Sequence, residues 1–554
     1  MSTPSISTSI RNSLEKLAIS DKAGGIKAKF SVDLDRVDRF SFDFGQFYID
    51  LSKTHISQEL LSIYLKFANE IDFVAKRESL LAGERINNSE DRSVLHTLLR
   101  DIGNQGISMS DDDVLAQAKT SKAQFVDQYH QIQQQLSKRD HAIKDIIHVG
   151  IGGSSLGTQL VFEALKDLNS SIKVHFIGNI DAHQLVDALS QCKLANTLVI
   201  GVSKTFTTAE TLQNLDSIAD WFKAGGVNNP LAHFYAVTAA PSKAHDYGIP
   251  SNNIVSFPTW VGGRYSVWSS VSLSAALVIG IEKFEEFLSG AASLDKHFYT
   301  QSPESNGCFL AAMLDHYYVN FLGVKSRAIF AYDFRLRSLV DYLQQLETES
   351  NGKDRQRDGD PVDQQTSPVV WGGVGTDVQH SVFQMLHQGT SLIPSEFILV
   401  RDPDHDLVEH HKELLANGLA QTAALLEGQD KAQIDSIHAQ DDLTDLAKRA
   451  KIFSGDRPST TILLDRLTPK ALGALLAFYE HRTFCFGMFA NINSYDQMGV
   501  ELGKRLATQV KPLLDPVKPL LDPVKPLLDN GQTQKSAESF DPSTLSLLSK
   551  VGSR

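Results

Sequence analysis

Short apolar runs alternate with longer amphipathic segments through most of the chain after about residue 115. The apolar runs cover residues 146–150, 174–177, 198–202, 234–237 and 254–257, and then 327–332, 368–371, 397–400 and 460–464. Apolar residues recur at helical intervals in the segments 158–168, 336–345, 380–387, 407–426 and 470–486. Such alternation is typical of βαβ units that build a parallel sheet. Because the rhythm restarts after about Gly323, the sequence predicts two α/β domains in tandem.

The two ends of the chain depart from this rhythm. The sequence predicts four regions: a mainly helical N-terminal extension at 1–114, α/β domains at 115–290 and 291–509, and a C-terminal tail at 510–554. The clearest amphipathic segment of the extension covers residues 57–71. In the tail, residues 510–529 repeat VKPLLDP, and the proline in each repeat disfavours a coiled coil. We expect an irregular or extended linker there, followed by a short helix at 543–550.

Composition and charge narrow the class of protein. The chain has 554 residues, of which 42% are hydrophobic and 21% charged, as in a globular enzyme of more than one domain. A net charge of −13 disfavours nonspecific binding to nucleic acid or anionic membranes. The most apolar uncharged stretch, residues 265–281, contains five serines and is predicted as a buried helix rather than a membrane span. Three distant cysteines and a first segment without an apolar core favour a cytoplasmic protein.

A glycine-rich loop follows the first predicted strand. Residues 150–157 read GIGGSSLG, and glycine lets a backbone approach an anion at the start of a helix. Ser155 stands where a dinucleotide-binding motif needs glycine, and Thr158 stands where a P-loop needs lysine. The loop is therefore either an anion site of another kind or a tight turn that packs a helix on a strand.

A second loop concentrates hydroxyl groups between a predicted strand and helix. Residues 203–208 supply four hydroxyls and one ammonium, from Ser203, Lys204, Thr205, Thr207 and Thr208. These groups suit phosphate oxygens at a helix N-terminus, although serine and threonine also favour helix caps. With two such loops after neighbouring strands, phosphate binding is the favoured interpretation.

Three further residue types are candidates for chemistry. Arg264 follows two glycines and could stabilise an oxyanion or form a surface ion pair. Glu347 and Glu349 would diverge by about 200° on a helix, so only one of them is expected to act. His380 follows a glycine-rich turn and suits either proton transfer or a packing role.

A metal site is not predicted from the histidines. His405, His410 and His411 lie close in sequence, but adjacent histidines point apart on a helix and no HExxH motif is present.

Several motifs in this order closely resemble the glucose-6-phosphate isomerase family. They lie at residues 83–100 (GERINNSEDRSVLHTLLR), 149–157 (VGIGGSSLG), 203–208 (SKTFTT), 261–270 (VGGRYSVWSS), 349–353 (ESNGK), 375–380 (GTDVQH) and 495–504 (YDQMGVELGK). The resemblance extends from about residue 44 to 509. It implies an α/β fold of two sugar-isomerase (SIS) domains, each a parallel sheet flanked by helices, with helical extensions at both ends. It also implies a homodimer that interconverts glucose 6-phosphate and fructose 6-phosphate without a metal or organic cofactor.

The resemblance assigns a role to each candidate residue. Residues 203–208 would hold the phosphate, and the sugar-phosphate site would be lined by Gly153, Ser154, Gln345 and Gln497. Glu349 would be the base, and Arg264 would stabilise the enediolate. His380, which reaches in from the partner subunit in this family, and Lys504 would assist ring opening.

Departures from the family pattern leave alternatives open. Asp377 and Val378 replace a common Asn-Gly before the histidine, and a positive φ would strain Val378. A non-catalytic sugar-phosphate sensor is one alternative, although binding alone needs no base such as Glu349. An isomerase for amino sugars or mannose 6-phosphate is another.

Overall fold

The computed structural model describes residues 6–100, 112–514 and 540–552. The chain divides into two compact units, Met1–Tyr495 and Asp496–Arg554. The repeat at 510–529 is described only at its start, where Lys511–Leu514 form a 3₁₀ turn rather than an extended segment. From residue 515 onward the predicted linker lies outside the described residues.

The described residues form eleven strands in two sheets, both in the first unit. The strands are β1 Ser41–Asp43, β2 Phe47–Asp50, β3 Asp145–Val149, β4 Lys173–Ile177, β5 Thr197–Val202, β6 Phe234–Thr238, β7 Ile254–Ser256, β8 Ser326–Tyr332, β9 Val369–Val374, β10 Ser395–Val400 and β11 Ser459–Leu464. The first sheet has the order β4-β3-β5-β6-β7, and every neighbouring pair is parallel. All nine apolar runs of the α/β rhythm thus correspond to strands.

The second sheet contains an element that the apolar pattern does not predict. Its order is β1-β2-β11-β10-β8-β9, and β8 to β11 are parallel. The hairpin β1-β2 pairs antiparallel with β11 through β2, so the N-terminal extension completes this sheet. Strands β3 to β11 fall within the two predicted α/β ranges, whereas β1 and β2 lie in the predicted N-terminal extension. The domain boundaries themselves stay a prediction.

The described residues of both units also form helices. They are α1 Thr8–Gly24, α2 Lys27–Val32, α3 Arg36–Arg39, α4 Gln58–Glu70, α5 Phe73–Leu81, α6 Asp112–Ser137, α7 Leu156–Leu165, α8 Ala182–Gln191, α9 Ala209–Ala224, α10 Pro241–Tyr247, α11 Leu273–Ile279, α12 Ile281–Thr300, α13 Gly307–Asn320, α14 Leu339–Gln344, α15 Gln379–Gln388, α16 Val408–Glu427, α17 Lys431–Ile437, α18 Asp445–Arg449, α19 Pro469–Phe489, α20 Glu501–Val510 and α21 Pro542–Gly552. The predicted helix at 265–281 begins as two short 3₁₀ turns and continues as α11. Among the described residues, no helix has the length and apolar character that a membrane span requires.

Helices α12 and α19 of the first unit pack tightly against each other. A Cβ at Gly290 of α12 would lie 1.9 Å from the Lys470 carbonyl oxygen, and one at Gly473 of α19 would lie 1.9 Å from that of Phe287. Only glycine permits this approach of the two backbones. The α19 helix is buried from Ala471 to Phe489, which is why its apolar residues show no one-sided stripe. The tail prediction is confirmed at its end, where α21 covers the expected short helix.

Candidate active site

The glycine-rich loop follows β3 and packs against the Arg264 loop. Its turn, Gly152–Ser154, leads into α7, and Gly152 has a φ of +55°. A Cβ at Gly153 would lie 2.2 Å from the carbonyl carbon of Gly263, so this position requires glycine. Buried His148 supports the turn by donating from Nε2 to the Ser154 carbonyl oxygen at 2.7 Å. The two loops therefore meet backbone to backbone.

The Arg264 side chain is buried and held by three neighbours. Nε donates to the Ser350 hydroxyl at 2.6 Å, and Nη2 donates to the Ser494 carbonyl oxygen at 2.7 Å. Nη1 lies 3.7 Å from Glu349 Oε1. The Tyr265 hydroxyl also lies 2.8 Å from the Ser350 hydroxyl. These contacts fix the plane of the guanidinium and aim its remaining edge at the Glu349 carboxylate.

Glu349 ends a single π-helical turn that follows α14. The turn covers Gln345–Glu349, and such turns are rare and often found at functional sites. The Gln345 amide donates to Glu349 Oε2 at 2.9 Å. A Cβ at Gly152 would lie 2.9 Å from the same amide nitrogen, so the glycine loop also meets this turn. We call Gly152, Gly153, Arg264, Gln345 and Glu349 the Glu349 cluster.

Glu347 lies in the same turn but faces a different part of the molecule. It accepts a hydrogen bond from buried Arg327 of β8 at 2.5 Å. Its side chain is 8% exposed, against 19% for Glu349. The divergence expected from the two-residue spacing is confirmed, and Glu349 is the carboxylate that a small molecule can reach.

The hydroxyl-rich loop at residues 203–208 forms internal hydrogen bonds. Ser203 and Thr208 lie 3.1 Å apart through their hydroxyls, and Thr205 and Thr207 lie 2.8 Å apart. Thr208, which precedes α9, makes no side-chain cap, so the interpretation as a helix-capping cluster is wrong for this residue. The hydroxyls of Thr205 and Thr207 belong to exposed residues and are accessible to an anion.

Lys204 is the cation of this loop. It lines the same cavity as Gly262 and Tyr265, which brings it to the Arg264 side of the site. Burial, together with the nearby positive charge of Arg92, lowers the pKa of Lys204 to about 8. A bound phosphate would supply the negative charge that this desolvated ammonium lacks.

His380 lies on a different element from the residues of the Glu349 cluster. It is exposed on the first turn of α15, and within the described ranges no side-chain hydrogen bond or ion pair joins it to that cluster. Val378 has a φ of −67°, so the strain considered for the Asp377-Val378 pair does not occur. Gln497 and Lys504 belong to the second unit, where Lys504 is exposed on α20. Their roles stay predictions from the resemblance, as do those of Gly153 and Ser154 in binding.

Three residues of the site are not found by sequence reasoning from the motifs. Ser350, Tyr265 and the Ser494 carbonyl surround Arg264, but none of them was a candidate for chemistry in the sequence. A signal was present for two of them, since Ser350 follows Glu349 in the ESNGK motif and Tyr265 follows Arg264. A buried guanidinium needs several acceptors, and these neighbours were the available ones.

Comparison with known proteins agrees with this architecture. The model of the family described as phosphoglucose isomerase matches residues 50–523. A glucose-6-phosphate isomerase of Novosphingobium aromaticivorans is 41% identical over 532 residues, covering 95% of this chain and 96% of that protein. One from Rhizorhabdus wittichii is 41% identical over 523 residues, covering 94% and 95%.

The likeness extends to a solved structure. The crystal structure of a glucose-6-phosphate isomerase from Chlamydia trachomatis superposes with a TM-score of 0.81 at 30% identity, covering 92% of this chain and 96% of that one. The predicted fold class, with sugar-isomerase sheets flanked by helices, is confirmed. The chain belongs to the phosphoglucose isomerase family, a family of aldose–ketose isomerases.

Proposed function

We propose that this chain interconverts glucose 6-phosphate and fructose 6-phosphate, as a step of glycolysis and gluconeogenesis, with Glu349 as the base. The observation that carries the proposal is the position of one carboxylate between the Gln345 amide and the Arg264 guanidinium. An aldose–ketose isomerisation needs a base beside two adjacent carbons and a positive charge beside the oxygen that becomes negative.

The proton moves between carbons through an enediolate. Glu349 takes the proton from C2 of the open-chain aldose, and the electron pair of that C–H bond forms the C1=C2 bond while the C1 carbonyl oxygen becomes negative. The protonated Glu349 then returns the proton to C1, and the C2 oxygen becomes the new carbonyl after its own proton moves to the C1 oxygen. Hydrogen stays within the substrate, so the step is balanced without an external oxidant.

Arg264 stabilises the charge that leaves Glu349. During proton transfer the negative charge passes from the carboxylate to the enediolate oxygens, and Nη1 lies 3.7 Å from the Glu349 carboxylate where this transfer begins. The Ser350 and Ser494 contacts orient the guanidinium before substrate arrives, so little reorganisation is needed in the transition state.

The phosphate binds at residues 203–208. Ser203, Lys204, Thr205, Thr207 and Thr208 supply its hydroxyl and ammonium donors, with Gly153, Ser154, Gln345 and Gln497 along the sugar phosphate. This remote contact positions C1 and C2 against Glu349.

The enzyme acts as a cytoplasmic homodimer in which His380 serves the partner subunit's site. His380 and Lys504 assist the opening of the sugar ring by moving a proton at the ring oxygen. The exposure of His380 supports this assignment, because a side chain that reaches into another subunit must be free to leave its own surface.

A coupled assay tests the proposal. Fructose 6-phosphate is supplied, and glucose 6-phosphate is detected by its dehydrogenase through NADPH absorbance. We expect turnover by the wild type, a fall of at least about a hundredfold in kcat for Glu349→Gln, and no change for Glu286→Gln, a matched exposed glutamate on α12. Sugar-phosphate binding without turnover in the wild type would favour the sensor, and faster turnover of an amino sugar or mannose phosphate would favour another isomerase.

A further inference from the structure

Three side chains with different metal-binding atoms converge at the amino end of the first sheet. Asp145 begins β3, His175 lies on the adjacent strand β4, and Cys192 follows the end of α8. One ligand atom from each of the three lies within 4.8 Å of the others. Asp145 begins β3, and the carboxyl end of β3 leads into the glycine loop. This cluster therefore lies at the opposite end of the strand from the Glu349 cluster.

The geometry of the pair on the two strands is close to that of a metal site. Asp145 Oδ1 lies 3.0 Å from His175 Nε2. Two ligand atoms about 2.0 Å from a tetrahedral zinc ion are about 3.3 Å apart, so this pair needs little adjustment. In β4, Lys173 is paired with Asp145 and His175 with Ile147, which places Asp145 and His175 on one face of the sheet. Neighbouring strands therefore fix two ligands at the required spacing.

Cys192 completes the set from the helix that covers this face. It packs against the apolar cluster that includes Ile147, Leu185 and Ala188. A cation bound here would lie between the Cys192 sulfur and the Asp145 carboxylate and would offset the repulsion between a thiolate and that carboxylate.

The donor set identifies the class of cation. A carboxylate and a thiolate carry two negative charges, which a divalent ion neutralises, and imidazole and thiolate are ligands for zinc rather than calcium or magnesium. The Asp145 and His175 side chains are 10% and 11% exposed, which leaves a narrow path from solvent. We propose that Asp145, His175 and Cys192 form a zinc-class site with one coordination position left for water.

Cobalt spectroscopy tests this site directly. Full-length protein is freed of metal by a chelator and titrated with Co²⁺, because a thiolate bound to cobalt gives a charge-transfer absorption and a four-coordinate site absorbs strongly in the visible range. We expect one equivalent of Co²⁺ to produce both bands and Zn²⁺ to remove them. Cys192→Ser should abolish the charge-transfer band, and His175→Gln should weaken binding at least tenfold. His183→Gln, an exposed histidine on α8, is the matched control and should bind as the wild type does.

Two outcomes would overturn the proposal. One is a wild type without a charge-transfer band at saturating Co²⁺, which would leave an ordinary Asp145–His175 ion pair. The other is an unchanged band in Cys192→Ser, which would assign the sulfur to another cysteine. Thermal unfolding checks that each variant is folded. The Tm of the wild type should rise with Zn²⁺, and the Tm of Cys192→Ser should not.

Discussion

A buried network of charges beneath the π turn allows a quantitative prediction. Arg327 lies 2.6 Å from Asp315 Oδ2, 2.5 Å from Glu347 Oε1 and 3.0 Å from Glu396 Oε1. Arg482 of α19 contacts Asp315 and Glu396 as well. All five side chains are at most 8% exposed, so three carboxylates share two guanidinium groups. Burial raises the pKa of Glu347, which is the carboxylate contacted by only one arginine.

Removing an arginine and removing a carboxylate should lower the free energy of unfolding by very different amounts. Arg327→Met leaves three buried carboxylates beside one arginine, and breaking a buried ion pair in this way costs about 3–5 kcal/mol. Glu347→Gln keeps an oxygen acceptor for Arg327 and removes the excess charge, so we expect a loss of about 1 kcal/mol or less. The unfolding entropy of a chain of 554 residues is roughly 1.2 kcal/mol/K. The expected falls in Tm are therefore about 3–4 °C and under about 1 °C.

Calorimetry at one scan rate measures both variants, and pH adds a second comparison. Since the folded state raises the pKa of Glu347, its contribution to stability is full below the unfolded value of 4.5 and is lost as pH rises through the folded value. Glu347→Gln has no carboxyl group to ionise at this position. The difference in Tm between this variant and the wild type should therefore shift in favour of the variant as the pH rises above 4.5. Arg327→Met should also lower kcat more than Glu347→Gln does, because Arg327 anchors the turn that carries Glu349. Equal falls in Tm for Arg327→Met and Glu347→Gln would refute the argument that this network holds one carboxylate more than it has arginines.

Other predictions concern the loop at residues 203–208, the proposed dimer and acid stability. KM for the sugar phosphate should rise above about pH 8 as Lys204 loses its proton, and Lys204→Arg should remove this rise; a pH-independent KM in the wild type would contradict the assignment. Mixing unfolded Glu349→Gln and His380→Ala chains and refolding them should recover about a quarter of wild-type activity, because half of the dimers then contain one intact site; no recovery would mean that His380 acts within its own subunit. Burial lowers to about 4 the pKa values of four histidines, His55, His148, His297 and His316. Each of these histidines stays neutral in the folded state and takes a proton near pH 6.5 in the unfolded state. The free energy of unfolding should therefore fall by up to about 1.4 kcal/mol per pH unit for each histidine as the pH drops from 6.5 towards 4. A constant Tm in calorimetry over that range would contradict this prediction.

The sequence predicts the parallel strands well because their signal is local. Each buried strand is a short apolar run between helix-length segments, and that alternation is visible without tertiary information. The hairpin Ser41–Asp50 is different, since its strands have three and four residues and gain their stability from pairing with β11. That partner lies more than 400 residues away in sequence, and no local pattern identifies it.

The sequence names candidate residues for the site, but it does not predict their geometry. Helical spacing indicates that Glu347 and Glu349 point apart, but it does not predict the π turn that places Glu349 against Gln345 and Arg264. The turn depends on Arg327, and the position of Arg264 depends on Ser350 and Ser494. These are contacts between distant segments, and they are fixed by packing rather than by the local pattern of residues.

The glycine loop shows how packing and chemistry can require the same residue. Its sequence allows two interpretations, an approach to an anion or a tight turn that packs. Gly153 must be glycine for a packing reason, because any side chain there would collide with the Gly263 backbone. That close contact brings the first loop beside Arg264, whose guanidinium faces Glu349. This backbone contact sets the distance between the glycine loop and the Arg264 loop. The packing interpretation and the binding interpretation therefore do not exclude each other. A larger residue at 153 would displace Arg264 from the carboxylate even if it left the phosphate donors in place.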